Sequence, residues 1–311
     1  MDELAQSLAA FEAWDWACVV ANLAVALAGF FALKCWRGLG GEEAPSEASA
    51  ADAALAAGAA LLCFGVVFGV VTQLVAEAFS THFGISQAHV FTAAFAGQVA
   101  AAATMAGLGM AAPRSLAWAP SWRSANPAPV GPFRQALAAV TFPRVLLALL
   151  GIFALGLVAT LAWKGVHAAW EQCFLRGWSG QPPADEPQEI VDAVLKTDVD
   201  TWRFGTIVLA VVFGAPVMEE LAFRGMLYPG LRRLGTLVSA RHARWIAVAT
   251  TGALFSAAHL SPSAALPLFA FGAFMCLVRD RYGLLACMAV HCSFNLWNLV
   301  WLKLAPNAST L

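Results

Sequence analysis

The chain has 311 residues, of which 60% are hydrophobic and only 12% are charged, and its formal net charge is −1. A soluble domain averages about 25% charged residues, so the composition excludes an ordinary soluble domain and indicates a polytopic membrane protein with membrane lipid as a partner. The small net charge gives no general attraction to nucleic acid, and none is expected as a partner.

Eight apolar runs along the sequence are candidates for membrane helices. A spanning helix needs about 20 mostly apolar residues. The runs are residues 16–33, 53–74, 88–112, 145–166, 204–218 with helix continuing to 234, 245–260, 266–278 and 284–302. The sixth and seventh runs are short, so we expect tilted or partly shielded helices there. The predicted fold class is all-α, a polytopic membrane bundle of about eight transmembrane helices.

The runs fall into two groups according to the motifs that they carry. Residues 1–144 hold the first three runs and a cytoplasmic loop rich in proline and arginine, and no motif there suggests a role. Residues 145–311 hold helices four to eight, and their polar motifs lie within 202–303. We therefore expect an N-terminal group of helices and a C-terminal group that carries the functional core.

The distribution of lysine and arginine predicts an orientation. With the N-terminus outside, 13 of the 18 Lys and Arg residues fall in the inner segments, and the inner loops of membrane proteins carry the excess of positive charge. Eight spans then place both termini outside and the polar end of the fifth run toward the cytoplasm. We expect a multi-pass protein of the cell (inner) membrane.

Two adjacent carboxylates stand at the end of the fifth run. An ionisable residue inside a membrane is costly and indicates a functional site. On a helix Glu220 and Arg224 face each other at a spacing of four, which predicts an ion pair. Glu219 points about 100° away and has no partner in its own segment, so it can act as a general base if a water reaches it. The alternative is that all three residues form a structural network.

Two later runs each carry a histidine. His259 follows Phe255 by one helical turn, although a lone histidine at a helix end is usually just hydrogen-bonded. His291, Asn295 and Asn298 form a polar stripe on an otherwise apolar helix. Such a stripe must face protein or water rather than lipid. The alternative to a functional role for the stripe is hydrogen bonding between helices.

Together these side chains supply the parts needed for amide hydrolysis. A carboxylate can activate water, and imidazole and carboxamide groups can donate to an oxyanion. Glu219, His259 and His291 could also be ligands of a zinc ion, although the usual H-E-x-x-H signature is missing. No G-x-S-x-G sequence occurs, so a serine nucleophile is not indicated.

Three short motifs lie in order on three of these runs. They are E-E-x-x-x-R at Glu219, Glu220 and Arg224 with Phe223 and Gly225 completing F-R-G, F-x-x-x-H at Phe255 and His259, and H-x-x-x-N at His291 and Asn295. This combination resembles the CAAX prenyl-protease and bacteriocin-processing family, also called the abortive-infection family. The resemblance covers about a third of the chain and implies an intramembrane endopeptidase of about eight helices.

The resemblance also implies a role for each motif residue. Glu219 and His259 would activate the attacking water, and His291 and Asn295 would stabilise the oxyanion. Glu220 and Arg224, with Phe255 beside them, would hold the geometry or help to bind substrate. The family has been described both as metalloproteases and as glutamate-dependent, metal-free peptidases. We expect no metal, because a paired carboxylate and no second acidic ligand make a poor closed zinc site; zinc held by His259, His291 and Glu219 is the alternative.

The predicted function is therefore hydrolysis of a peptide bond in a membrane-associated peptide or protein, with or without an attached lipid, near the cytoplasmic face. Two other functions fit the same residues less well. A non-catalytic immunity factor or scaffold would keep the motifs for stability. A transporter or proton relay would need a continuous polar path to both faces, and the first four runs offer little for that beyond Gln98.

Overall fold

Helices make up nearly all of the structure that can be described. The computed structural model describes residues 50–83, 87–111, 142–172, 194 and 202–304. Within these ranges the backbone is helical apart from short connections and contains no strand. The predicted all-α class is thus confirmed. The first predicted run, 16–33, and both chain termini lie outside the described residues.

The described residues form seven principal helices. Helix α1 covers 50–83 and consists of Ala50–Leu62, a π-helical stretch Cys63–Val67 and Phe68–Phe83. Helices α2 and α3 are Gln87–Ala111 and Phe142–Trp170. Helix α4 covers 202–238 in five consecutive parts, Trp202–Ile207, π-helical Val208–Gly214, Ala215–Glu220, π-helical Leu221–Leu227 and Tyr228–Val238. Helices α5, α6 and α7 are Ala243–Ala258, Ala265–Tyr282 and Leu284–Leu304, with a 3₁₀ turn, Pro262–Ala264, before α6.

Among the described residues, six helical segments are long and apolar enough to cross a membrane. They are Ala53–Ala78, Val90–Leu108, Leu150–Trp170, Phe204–Val238, Pro262–Tyr282 and Leu284–Leu304. Each corresponds to one of the predicted runs. The predicted sixth run forms α5, which at 16 residues is shorter than the roughly 20 that a perpendicular span needs. A polytopic helical bundle is therefore confirmed, and the count of eight spans stays a prediction.

Helix α4 occupies the centre of the bundle. In its most apolar stretch of 18 residues, 61% is buried inside the protein, against 22% to 44% in the corresponding stretches of the other five candidate spans. It packs against α1, α2, α5, α6 and α7. Glycines allow the closest approaches, since a Cβ atom on Gly230 would lie 2.7 Å from the carbonyl oxygen of Ala53, and one on Gly214 would collide with the side chain of Gln98. The helix that carries both glutamates is thus the one best shielded from lipid.

The backbone of α4 is irregular on both sides of the two glutamates. A π-helical stretch changes the hydrogen-bond pattern from i−4 to i−5 and is common at functional sites. Pro216, near the start of the α-helical part between the two π stretches, has no backbone N–H to donate. Side chains of other helices donate to carbonyls inside the irregular parts, Asn295 to Val211 and Arg279 to Arg224, each at 2.7 Å.

Candidate active site

Glu220 is a fully buried carboxylate on α4 that bonds to α7 directly and to α6 through Arg224. Its Oε1 accepts hydrogen bonds from Arg224 Nη1 at 3.0 Å and from His291 Nδ1 at 2.8 Å. Arg224 is also fully buried, and its Nη2 donates to the carbonyl oxygen of Gly272 on α6 at 2.9 Å. A buried ion pair needs such additional hydrogen bonds to offset desolvation. The predicted pair between Glu220 and Arg224 is present, and it connects α4 to α6 and α7.

Phe255 lies at the centre of the predicted site residues. The guanidinium of Arg224 stands 4.7 Å from the centre of its ring, a distance at which cation–π attraction operates. The rings of His259 and His291 lie 4.7 Å and 6.2 Å from it. Phe255 therefore separates the two imidazoles and covers one side of the buried arginine.

Glu219 stands apart from this ion pair. Only 11% of its side chain is exposed, and its Oε2 has no hydrogen-bond partner among the described residues. His291 Nε2 lies 3.9 Å from that oxygen. This separation is too long for a direct hydrogen bond and leaves a polar pair that a water or a substrate group can join. The sequence-based expectation that Glu219 lacks a partner in its own segment agrees with this geometry.

His291 couples the two glutamates. Because an ionised carboxylate can only accept, the Nδ1 atom that meets Glu220 carries a proton. Nε2, which faces Glu219, accepts in the neutral ring and donates when the ring is doubly protonated. The ring of Phe271 packs against the imidazole at 4.9 Å, and His291 as a whole is buried. Its orientation is therefore fixed by a carboxylate on one edge and an aromatic ring on its side.

His259 lies at the edge of this arrangement. It follows the last residue of α5 and is exposed. Its Nδ1 donates to the carbonyl oxygen of Phe255 at 2.8 Å, so Nε2 is the acceptor in the neutral ring. Among the described residues, no hydrogen bond or ion pair joins His259 to Glu219 or to Glu220. The structure brings His259 to the site through the Phe255 ring and not through a direct polar contact.

The two asparagines of the predicted polar stripe bond to backbone. Asn295 Nδ2 donates to Val211 O on α4 at 2.7 Å, and Asn298 Nδ2 donates to Phe294 O on its own helix at 2.9 Å. Asn295 thus faces protein, as the pattern predicts, whereas the bond of Asn298 stays within its own helix. Asn295 lies one turn beyond His291 and retains one amide hydrogen beyond the one given to Val211. Its part in an oxyanion site stays a prediction.

The zinc alternative requires Glu219, His259 and His291 to converge on one point. Across the described parts of the chain, no three His, Cys, Asp or Glu side chains are grouped so as to hold a metal ion. The three predicted ligands do not fit a zinc site in this arrangement, and no step proposed below uses a metal.

Sequence reasoning missed three contributors to the site: Gly272, Phe271 and Arg279. Gly272 supplies the carbonyl oxygen for Arg224, and Arg279 Nε donates back to the carbonyl oxygen of Arg224 at 2.7 Å. Gly272 lies in an apolar run and Arg279 among the basic residues at its end, so neither had a distinctive signal. Each of them bonds to a residue about 50 positions away in the sequence, whereas helical spacing predicts contacts only between residues three or four positions apart.

The comparison with known families covers the stretch that holds these side chains, apart from Asn298. Residues 201–297 match the family model described as type II CAAX prenyl endopeptidase Rce1-like. The chain carries an Rce1-like domain. The match confirms the family resemblance of the three motifs, and every predicted site residue lies within the Rce1-like domain. No curated protein and no solved structure matches the chain.

The family match and the helices together support two coarse conclusions. Because the Rce1-like family is a family of proteases, peptidase activity is supported at the family level. The six candidate spans, together with this membrane-protease family, support an integral membrane protein. The membrane in which it resides and the side on which its termini lie stay predictions.

Proposed function

We propose that the protein is an intramembrane endopeptidase that hydrolyses a peptide bond of a membrane-associated peptide or protein, with Glu219 as the general base. The observation that carries the proposal is the position of Glu219 Oε2, which is buried in the bundle without a hydrogen-bond partner among the described residues and lies 3.9 Å from His291 Nε2. A base and a potential donor at this separation can bind a water and a peptide carbonyl side by side.

In the proposed reaction, Glu219 accepts a proton from a bound water while the water oxygen attacks the carbonyl carbon of the substrate. A carbon–oxygen bond forms, and the electron pair of the carbonyl π bond moves to the oxygen. Collapse of this tetrahedral intermediate breaks the carbon–nitrogen bond, and the proton held by Glu219 passes to the leaving nitrogen. His259, exposed at the edge of the site, assists in moving the proton through its accepting Nε2.

His291 stabilises the oxyanion in this scheme. In its doubly protonated form Nε2–H donates to the developing negative charge, and Glu220 at Nδ1 compensates the charge of the imidazolium. Arg224 holds Glu220 in place. Glu220 in turn orients His291 through Nδ1, as a buried carboxylate orients the catalytic histidine in other hydrolases. Asn295 supplies its remaining amide hydrogen to the same oxyanion.

The substrate and the side of the membrane form part of the proposal. The substrate is a peptide or protein at the membrane, with or without an attached lipid, and cleavage occurs toward the cytoplasmic side. The protein resides in the cell membrane with both termini outside.

The proposal is tested with purified protein in lipid vesicles and a set of prenylated and unprenylated peptides. We expect cleavage by the wild type and a loss of about 10²- to 10⁴-fold in Glu219→Gln, because the amide cannot accept the proton. Glu77→Gln, which removes an exposed carboxylate on α1, is the matched control and should cleave like the wild type. Absence of cleavage of every peptide by folded wild type would favour a non-catalytic scaffold or immunity role.

A chelator added to the same samples tests the zinc alternative. We expect cleavage by the wild type to survive chelation, because the proposed base and oxyanion donors are side chains. Activity that is lost on chelation and restored by zinc would instead make His259, His291 and Glu219 ligands of a catalytic metal.

A further inference from the structure

Arginines gather at one end of helices α4, α5 and α6. This arginine cluster consists of Arg232, Arg233, Arg241, Arg244, Arg279 and Arg281. Asp280 holds the three helix ends together, because it accepts hydrogen bonds from Tyr228 on α4 at 2.9 Å and from Arg244 on α5 at 2.8 Å. Arg232 Nη1 lies 3.6 Å from the other oxygen of Asp280. The charges of the cluster are thus concentrated by tertiary contacts.

The cluster has far more positive than negative charge. Asp280 is the only acidic residue in the sequence from Leu221 to Leu311, the stretch that holds all six arginines. Arg241 and Arg281 are exposed, and neither has an ion-pair partner among the described residues. A preference for basic residues on one side of a membrane explains the sign of this charge, but it does not require three helices to share one carboxylate.

Exposed apolar side chains border the arginine cluster. Leu237 and Val238 at the end of α4 and Trp245 near the start of α5 are all exposed. The guanidinium of Arg244 lies 5.3 Å from the centre of the Trp245 ring. Arginine, tryptophan and exposed aliphatic groups in one place are typical of the level at which lipid head groups meet acyl chains.

We propose that the arginine cluster binds the phosphate-bearing head group of an anionic phospholipid. Arg241 and Arg281 donate to the phosphate, for which the planar guanidinium fork is well suited. Val238 and Trp245 contact the upper part of the acyl chains. The site lies outside the proposed catalytic residues, and its occupation does not depend on peptidase activity.

The size of the effect follows from the number of charges. A basic residue near an anionic membrane surface contributes about 1 kcal/mol, which is about a fivefold change in affinity. Replacing both Arg241 and Arg281 by glutamine should therefore weaken the retention of anionic lipid by about 30-fold. Replacing both by lysine keeps the charges and should restore most of the retention.

The test uses the full chain in nanodiscs of phosphatidylcholine, with and without phosphatidylglycerol. Lipid that remains bound after transfer to detergent is quantified, and the melting temperature is measured in parallel. We expect phosphatidylglycerol to be retained by the wild type and to raise its melting temperature. The double glutamine variant should lose both effects, and Lys303→Gln, at the other end of α7, should keep them.

Three outcomes would overturn the proposal. Equal retention of phosphatidylglycerol by the wild type and the double glutamine variant would place the lipid elsewhere. If the double glutamine variant melted below the wild type by the same amount with and without phosphatidylglycerol, the two arginines would be stabilising the fold by pairing within the chain. Inorganic phosphate that reproduces the full thermal shift in phosphatidylcholine would identify a soluble anion as the ligand.

Discussion

At the scale of single residues, the two adjacent glutamates have opposite surroundings. Glu220 is enclosed, and its Oε1 accepts hydrogen bonds from Arg224 and His291. Oε2 of each glutamate is unbonded among the described residues, but no described side chain donates a hydrogen bond to Glu219, and His291 Nε2 lies 3.9 Å away from it. A helix rotates neighbouring side chains by about 100°, so adjacent positions can belong to different environments. Glu220 therefore contributes to the stability of the fold, whereas Glu219 is left available to bind a water or a substrate group.

Substitution of Glu220 should reduce stability far more than substitution of Glu219. Glu220→Ala leaves Arg224 as an uncompensated buried charge, which typically costs about 3–5 kcal/mol. We expect a clearly lower melting temperature and folded yield in detergent, while Glu219→Gln melts like the wild type. Equal losses in the two variants would show that both carboxylates belong to one structural network.

Part of this arrangement could be predicted from sequence and part could not. The pair between Glu220 and Arg224 follows from helical spacing, since both lie on one helix. The bond between His291 and Glu220 joins residues 71 positions apart, and no local pattern contains it. The role of His259 beside Glu219 stays a prediction: its Nδ1 donates to the carbonyl oxygen of Phe255, and its Nε2 is the nitrogen that can accept a proton.

At the scale of elements, the irregular helix α4 positions the site. Its apolar pattern is continuous through both π-helical stretches, so composition predicted the span but not the altered hydrogen bonding. Pro216 was the one local sign of irregularity. The carbonyl groups of Val211 and Arg224 receive side-chain donors from α7 and α6, which fixes α4 against its neighbours around Glu219 and Glu220.

Arg279 should act as a positioning residue through its bond to the Arg224 carbonyl. In Arg279→Gln the shorter side chain cannot make the same contact, and Arg224 is less well held against Glu220. We expect kcat for peptide cleavage to fall by about tenfold, the equivalent of about 1.4 kcal/mol, with little change in KM. Arg279→Lys should recover part of the loss because its stem still reaches toward α4.

Arg281→Gln, measured in phosphatidylcholine so that the proposed lipid site is empty, provides the matched control for Arg279, since it removes an exposed arginine two positions away on the same helix. It should leave kcat unchanged. If both substitutions lowered kcat equally, the effect would arise from the general charge of this end of the bundle and not from the bond to Arg224. If kcat fell only in proportion to folded yield, Arg279 would be purely structural.

The crossing of α5 and α6 depends on a pair of glycines. A Cβ atom on Gly272 would lie 3.0 Å from the Cα atom of Gly252 and 3.1 Å from Phe255 Cβ. We expect Gly272→Ala to destabilise the protein by about 1–3 kcal/mol through overpacking and to displace the carbonyl that Arg224 uses. Gly165→Ala on α3, where no atom lies within 4 Å of the added carbon, should be neutral or stabilising. Comparable melting temperatures for the two variants would contradict this account.

At the scale of the whole molecule, composition was sufficient for the architecture. A chain with few charges and long apolar runs can bury its backbone polar groups in lipid only as helices or closed barrels, and the run lengths favoured helices. The order in which these helices pack could not be predicted, because apolar surfaces carry little information about their partners. The centre of the bundle at α4 is a property of the assembled structure.

Helix α5 is too short to be counted as a span that crosses the membrane at a right angle. With 16 residues it spans about 24 Å, less than a hydrocarbon core of about 30 Å. It nevertheless packs closely on α4 and α6 and carries Phe255 into the site. Phe255 in its last turn lies beside Arg224, and His259, which follows the helix, is exposed at the edge of the site.

The central claim is that Glu219 acts in catalysis and not in folding. The most direct measurement is the single-turnover rate of peptide cleavage by wild type and Glu219→Gln in the same vesicles, with the melting temperature of each sample. We expect a rate lower by at least about 10²-fold in the variant and melting temperatures that agree. A variant that cleaves at the wild-type rate would contradict the claim, as would a rate loss matched by a loss of folded protein.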